Sequence, residues 1–285
     1  MLEQNKHGIW TPRNVCAFGL GLDLSLGAQQ PAPAAGGGGG GDYTNIAFTM
    51  VLDPANDTDN MFRDTSGAVP IVPATDGDTV RRWDPATWPV EGYMEDTSAV
   101  YPLWRTPGNG INDIGVIEMQ TNAEYRMWQG GAFTSANVFN ADSMVFGWAG
   151  KRIATYGGGS NNVLRQNNPA TDEFVINSET DGTFDIIMHM ATAQTQTITV
   201  TPDGSSLFAV VIWLHDNVID YWLDGVKQTQ ITGVNDFAQL TGAFWRHLCI
   251  NGNSYQLMKM VFAASHDNED DVANLAAHLE TLLGR

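Results

Sequence analysis

The carboxylates whose spacing could support glycoside hydrolysis are Glu179 and Asp181, and Asp220 and Asp224. Glycosidases place two acids on either side of the scissile bond, and alternate positions of a strand put both on one face. The position where a third acid would follow Glu179 and Asp181 holds Phe184, and Asp181 is followed by Gly182, a pair typical of a turn. Asp224 also begins an Asp-Gly turn, and we expect Asp220 at the surface. The sequence therefore predicts no catalytic pair and no enzyme, and a polysaccharide-degrading enzyme is the alternative.

Metal and phosphate sites have little support in the sequence. None of the six histidines is spaced from another as zinc ligands are, and the glycines at 157–159 are not followed by a lysine. We therefore expect no cofactor. Calcium is left open, because carboxylates suit that ion and several loops are rich in them. Turn geometry explains the same residues, which are Asp53, Asp57, Asp59, Asp76 and Asp78.

Aromatic residues could form a sugar-binding surface, since the chain contains nine Trp and seven Tyr. Sugars are recognised by aromatic faces together with polar groups at loop tips. Positions near predicted strand ends are the candidates, and they are Trp128, Trp148, Tyr156, Asn161 and Asn162. The alternative is that these tryptophans belong to the core.

Charge and targeting signals exclude several classes of protein. Acidic residues outnumber basic ones 32 to 14, and the formal net charge is −18, so a nucleic-acid partner is not expected. This acidity fits solubility or adaptation to salt, with bound divalent cations as the alternative. Cys16 and Cys249 form no disulfide framework or metal motif. The start of the chain does not resemble a secretory signal, and no apolar run is long enough to span a membrane.

The elements that must position any site are best seen in residues 207–233. Leu207–Leu214 is an unbroken apolar run that predicts a strand covered on both faces. Asp216-Asn217 predicts a reversal, Val218–Leu223 a return strand, and Asp224-Gly225 a tight hairpin turn. Val226–Ile231 alternates apolar and polar residues, which predicts an outer, half-exposed strand. Three antiparallel strands without an intervening helix indicate an all-β protein.

Short strand patterns recur along the rest of the chain. They predict strands within 46–52, 80–83, 111–119, 125–133, 142–148, 152–156, 173–177, 183–190, 196–200, 244–250 and 256–264. About a dozen such strands at near-regular spacing predict a two-sheet sandwich or jelly roll. Val272, Leu275, Leu279 and Leu282 have helical spacing after an acidic stretch, so a short C-terminal helix is expected.

Residues 1–42 differ from the remainder, which we take as one domain at 43–285. A glycine-interrupted apolar stretch leads through a Pro-Ala segment into consecutive glycines, a composition typical of a linker or arm. We predict an assembly arm that becomes ordered between subunits, so a homo-oligomer such as a trimer is expected. The positions chosen for it are Val15, Phe18, Leu20, Leu22, Gly36 and Gly41.

A turn-rich segment, residues 52–105, resembles a specific family. The matching positions are Asp53-Pro54, Met61-Phe62, Asp64, Gly67, Pro70, Asp76-Gly77-Asp78, Val80, Trp83 and Pro102–Arg105. This pattern is similar to that of bacteriophage virion proteins with a concanavalin-A-like, laminin-G-like jelly-roll domain. Residues 84–89 replace one element of the family pattern imperfectly.

The resemblance implies a concanavalin-A-like two-sheet jelly-roll sandwich with a short C-terminal helix, to which the composition of residues 1–42 adds an extended N-terminal arm. It also implies a structural protein of the virion, made in the host cytoplasm without a signal peptide, that decorates the head or belongs to the tail. Other capsid or tail proteins would be its partners, and host-surface glycans would be the ligands of a lectin-like domain.

Overall fold

The structure, a computed structural model, describes residues 2–4, 10–12, 42–88, 92–96, 100–129, 135–154, 162–166, 174–238, 245–249 and 254–285. The chain divides into two units, Met1–Gly39 and Gly40–Arg285. In the first unit, β1 (Leu2–Gln4) pairs antiparallel with β2 (Trp10–Pro12).

The described residues of the second unit form two nine-stranded sheets, with strands numbered in chain order. Sheet I contains β3 (Phe48–Leu52), β7 (Leu103–Arg105), β8 (Val116–Met119), β10 (Met144–Ala154), β15 (Leu207–His215), β16 (Val218–Leu223), β17 (Val226–Lys227), β18 (Ile231–Thr232) and β20 (Ser254–Ala263). Sheet II contains β4 (Met61–Phe62), β5 (Arg82–Trp83), β6 (Gly92–Asp96), β9 (Ala123–Gln129), β11 (Asn162–Gln166), β12 (Phe174–Ser178), β13 (Phe184–His189), β14 (Thr195–Val200) and β19 (Trp245–Cys249).

The described residues contain few helical segments. One α-helix, α1 (Glu269–Leu282), follows the last described strand, and single 3-10 turns lie at Thr58–Asn60, Pro107–Asn109, Ser135–Asn137 and Ala191–Ala193. Within the part of the chain that the structure describes, no helix is long and apolar enough to cross a membrane.

Strands that are distant in sequence are neighbours in both sheets. Sheet I runs β17-β16-β15-β10-β20-β8-β7, with β18 also on β16 and β3 also on β20. Sheet II runs β14-β13-β12-β11-β19-β9-β6-β5-β4. Every pair between these strands is antiparallel, and β10 lies between β15 and β20 although β20 begins a hundred residues later. The predicted all-β sandwich of two sheets with a short C-terminal helix is confirmed.

Sheet I is covered on both faces, as its apolar runs predict. In β15, Phe208, Val210 and Ile212 belong to the apolar cluster shared with sheet II. The intervening residues Val211 and Trp213 belong to a second cluster, which includes residues of α1. Because successive strand residues point to opposite faces, an uninterrupted apolar run is what a doubly covered strand requires.

Helix α1 begins and packs as its sequence predicts. The Asn268 side chain accepts a hydrogen bond from the backbone N–H of Asp270. Three acidic residues in the first turn interact favourably with the positive end of the helix dipole. Val272, Leu275 and Leu279 are buried, and Leu282 is half-buried against the same cluster. In β10, a Cβ at Gly147 would lie 2.9 Å from Val261 and 3.3 Å from Leu279, so glycine lets the helix approach the sheet closely.

The predicted hairpin region is confirmed except at its outer strand. Asp216-Asn217 and Asp224-Gly225 all have positive φ, which both tight turns require. Val226–Ile231 is not one strand: only β17 and β18 pair with β16, and the Gln230 side chain between them turns to the Asp220 carboxylate. The predictions at 142–148 and 152–156 were also wrong in separating two strands, since β10 continues through Lys151 and Arg152 to Ala154.

One half-buried histidine should make the fold sensitive to acid. His278 on α1 packs against Tyr43 with ring centroids 4.6 Å apart and planes tilted by 34°, and burial, assisted by the nearby Lys259, lowers its pKa to about 4. The unfolded chain takes up this proton near pH 6.5, so stability is lost as the pH falls from about 6.5 to 4. The loss we expect is about 2 kcal/mol, after allowing for partial solvent screening of the half-buried ring.

His278→Phe keeps a ring against Tyr43 and removes the titrating group. Denaturant unfolding at pH 7 and pH 4.5 should therefore show the larger acid-induced loss in the wild type. The quantity to compare is the acid-induced loss of stability in the wild type and in the variant. Both proteins keep Asp57, whose pKa is raised to about 6 by burial, so its protonation stabilises both folds as the pH falls and cancels in the comparison. Equal losses in wild type and variant would contradict the assignment.

Candidate functional site

Trp148 lies in the core, so the prediction that it contacts sugar was wrong. Its side chain is completely buried between the two sheets. The ring packs edge-on against Phe184, Phe208 and Tyr255, with centroids 5.1, 4.4 and 6.0 Å away. Trp148 lies at an inward position of β10, so its face contacts other core rings and is not open to a ligand.

The other predicted sugar contacts are not tested by the geometry. Trp128 lies in β9 and Asn162 begins β11, but their side chains are outside the described part of the chain, as are Tyr156 and Asn161. The predicted assembly-arm positions also lie outside the described residues, and they are Val15, Phe18, Leu20, Leu22, Gly36 and Gly41.

The aspartates considered for calcium bind groups of the protein itself. Asp53 pairs with Lys259 at 3.0 Å and Asp78 with Arg63 at 2.8 Å. Asp76 accepts a 3.0 Å hydrogen bond from the backbone N–H of Thr106.

The buried Asp57 accepts a hydrogen bond from the Trp83 indole at 3.3 Å. Asp59 lies in the 3-10 turn Thr58–Asn60. Among the residues that the structure describes, no three His, Cys, Asp or Glu side chains are placed to hold a metal ion. Calcium binding stays a prediction.

A polar cavity of about 490 Å³ lies where the β15–β16 turn meets the segments that precede β10 and follow β20. We call it the turn pocket. Its walls are Asp142, Ser143, Trp213, His215, Asp216, Asn217, Asp236, His266 and Asp267. Strand β15 supplies Trp213 and His215 from the same face of sheet I, because they are two residues apart.

The rings of Trp213 and His215 form a stack in the turn pocket. Their centroids are 3.5 Å apart and their planes differ by 20°. Trp213 is nearly fully buried, and its indole N–H donates to the backbone carbonyl of His266 at 3.0 Å. The His215 side chain retains 20% of its exposure, so it is the outer ring of the stack. This arrangement holds a flat imidazole face at the edge of the cavity.

A buried carboxylate fixes the orientation of His215. Asp220 Oδ2 lies 2.9 Å from His215 Nε2 and also accepts a 3.0 Å hydrogen bond from Gln230. Lys227 Nζ lies 3.0 Å from the other oxygen of Asp220. Burial disfavours the ionised form of Asp220, but the hydrogen bonds from His215, Lys227 and Gln230 outweigh it and lower its pKa. The expectation that Asp220 lies at the surface was wrong, since the residue is only 2% exposed.

His266, whose backbone carbonyl accepts from Trp213, repeats this arrangement. Its Nε2 lies 3.0 Å from Oδ2 of Asp271, a buried residue in the first turn of α1. In both histidines Nε2 contacts a buried carboxylate, so each ring is held in one orientation. The two histidine rings in the lining of the turn pocket are thus held in place by buried carboxylates.

The charges of the turn pocket select among ligand classes. Among the described residues that line it there is no lysine or arginine, and there are four aspartates, Asp142, Asp216, Asp236 and Asp267. Carboxylates accept hydrogen bonds from hydroxyl or ammonium groups and repel anions. Ser143 and Asn217 add groups that both donate and accept. The cavity therefore suits a neutral or cationic ligand rich in hydroxyl groups.

Sequence reasoning did not identify the turn pocket. A local signal existed for half of it, because Trp213 and His215 alternate at the end of a strand that the sequence predicts correctly. His266 is fifty-three residues from Trp213 in the sequence, and only the pairing of both β15 and β20 with β10 brings them together.

Comparisons with known proteins give similarity of fold only. No family model matches the chain, and no curated protein matches it. Among solved structures, the binding domain of Paraclostridial Mosquitocidal Protein 1 aligns with a TM-score of 0.52 and 10% identity, over 73% of this chain and 50% of that structure. A point mutant of HCR/D aligns with a TM-score of 0.50 and 8% identity, over 79% of this chain and 53% of that one. The chain thus spans about half the length of the structures it matches.

Proposed function

We propose that this chain is a lectin-like binding protein of a bacteriophage virion, and that the turn pocket binds glycans of the host surface. The observation that carries the binding function is the stack of His215 on Trp213 at the edge of a cavity lined by carboxylate, amide and hydroxyl groups. Sugars need a flat ring for their C–H faces and polar groups for their hydroxyls, and the turn pocket provides both.

Two further observations support the proposal. The sandwich is shared with the binding domain of Paraclostridial Mosquitocidal Protein 1, so this fold can serve a binding function. The virion role is supported by the resemblance of residues 52–105 to phage jelly-roll proteins. In the structure these residues form scaffold: Arg105, for example, makes paired 3.0 Å hydrogen bonds to both carboxylate oxygens of Glu118. The pattern of residues 52–105 therefore supports the proposed virion role, and the turn pocket supports the proposed glycan binding.

A glycan array tests the binding function. We expect the wild type to bind neutral or amino-substituted glycans, because four aspartates line the turn pocket, and not to bind sialylated or uronic-acid glycans. His215→Ala should weaken the strongest signal at least about tenfold, which corresponds to the loss of one well-placed ring and hydrogen bond.

His189→Ala is the matched control, because His189 is also partly exposed at a strand end but lies in sheet II. It should bind as the wild type does. Binding that survives His215→Ala, or a preference for anionic glycans, would contradict the proposal. Cleavage of a bound glycan, measured as new reducing ends, would favour the alternative of a polysaccharide-degrading enzyme, because the same four carboxylates could act in pairs.

A further inference from the structure

Strand β14 is a long, exposed edge of sheet II. On one side it pairs with β13, and the register runs from Thr195 opposite His189 to Val200 opposite Phe184. Among the described residues, no backbone group of Thr195–Val200 bonds to any segment other than β13. Thr195, Thr197 and Thr199 are exposed on the outer face of this strand. An edge strand points alternate pairs of N–H and C=O groups away from its sheet, and these groups can pair with another strand.

The other described edges of the two large sheets are protected. In sheet I, β3 pairs with β20 only, and the N–H of Val51 on its other side donates to the Thr87 carbonyl at 2.9 Å. In sheet II, β4 is two residues long, and Phe62 makes a further bridge to Pro70. In sheet I, β7 is three residues long, and Leu103 bridges to Thr79, while β17 and β18 have two residues each. Short strands, bridging loops and charges such as Lys227 are the usual protection against edge-to-edge pairing. Strand β14 has six residues and none of these features.

The segment around β14 is also uncharged. Residues 190–202 contain no acidic or basic side chain, in a chain whose formal net charge is −18. Two copies of such a chain repel each other over most of their surface, so they can approach closely only where the surface is neutral. We propose that β14 is a self-pairing edge, which joins antiparallel to β14 of a second copy of this chain and makes one continuous sheet across the dimer.

Strand β14 is complementary to itself in this arrangement. A twofold axis at Thr197 places Thr197 opposite its counterpart and Thr195 opposite Thr199 of the second copy. Threonine pairs directly across antiparallel strands are favourable.

The neighbouring residues on β13 fit as well. Thr199 Oγ1 donates to Asp185 at 2.7 Å, and Thr195 Oγ1 lies 3.3 Å from His189 Nδ1. The two outer cross-strand rows of the dimer therefore begin at Asp185 of one copy and end at His189 of the other, and the central row, through Thr197, begins and ends at Ile187.

Sedimentation velocity of the full chain over a range of concentrations tests the proposal. We expect a monomer–dimer equilibrium in the micromolar range, because one strand pair is a small interface. The measurement belongs at about 0.15 M salt, where charges are screened beyond roughly 8 Å. In the dimer, the outward amides of residues 195–200 should exchange hydrogen more slowly as the concentration rises.

Two variants with opposite charges separate strand pairing from general electrostatics. Thr197→Lys and Thr197→Glu each place two like charges at the dimer axis, so both should be monomeric. Thr232→Lys and Thr232→Glu are the matched controls, because Thr232 is also exposed, but lies on β18 of sheet I. These controls should dimerise as the wild type does.

A wild type that stays monomeric at every concentration would overturn the proposal. So would an oligomer that neither Thr197 variant affects, or one that only Thr197→Glu disrupts. Circular dichroism on each variant confirms that the loss of the dimer is not a loss of the fold.

Discussion

Replacing Trp148 by alanine should destabilise the protein by about 3–5 kcal/mol, the range for a large aromatic side chain removed from a packed core. Trp148 is completely buried, and three aromatic rings surround it. The neighbours lie on strands of both sheets, which cannot collapse into the vacated space without changing strand pairing. Denaturant unfolding, monitored by circular dichroism, measures the effect. The prediction replaces the view that this ring contacts sugar at the surface.

Trp148→Phe is the matched control. A phenyl ring keeps most of the contacts, and the indole N–H that it removes has no hydrogen-bond partner among the residues that the structure describes. We expect this variant to lose only about 1–2 kcal/mol. If Trp148→Ala unfolded at the same denaturant concentration as the wild type but lost glycan binding, the core assignment would be wrong and the surface role would be restored.

Replacing Asp220 by alanine should cost about 3 kcal/mol, because it removes the buried carboxylate that His215, Gln230 and Lys227 share. A second effect should accompany it: His215 loses the partner that fixes its ring, so glycan binding should weaken as well. Thermal or denaturant unfolding measures the first effect, and binding at a temperature where the variant is folded measures the second.

Two variants separate the causes of these effects. Asp220→Asn keeps one acceptor oxygen, and we expect it to lose about half as much stability. Asp216→Asn changes the other aspartate near His215, which is 3.5 Å from Nδ1 and 95% exposed, and should change stability by less than about 0.5 kcal/mol. An Asp220→Ala protein as stable as Asp216→Asn would contradict the buried network.

Much of the fold could be predicted from local pattern. The Asp-Asn and Asp-Gly turns adopt the positive φ that these residues tolerate best, and the apolar run of β15 is buried on both faces. The same rule applied to Met144–Ala149 would have placed Trp148 in the core, because this run is also uninterrupted. The predicted gap between 148 and 152 does not exist, since β10 continues through Lys151, and a long charged side chain can extend from a continuing strand.

The turn pocket depends on information that local pattern does not contain. Asp220 looks like a surface residue in the sequence because it alternates with apolar neighbours. It is buried because His215, Lys227 and Gln230, from three separate segments, converge on it. Likewise, His266 meets Trp213 only through the pairing of distant strands. The arrangement of the strands across sheet I, rather than any motif, creates the candidate site.

A crystal structure of the full chain with the glycan that binds best on the array tests the turn pocket directly. We predict that the ligand lies in the turn pocket, with a sugar face on the His215 ring and hydroxyl or amino groups bonded to the aspartates of the walls. A ligand bound elsewhere on the sandwich, with the turn pocket empty, would contradict this prediction.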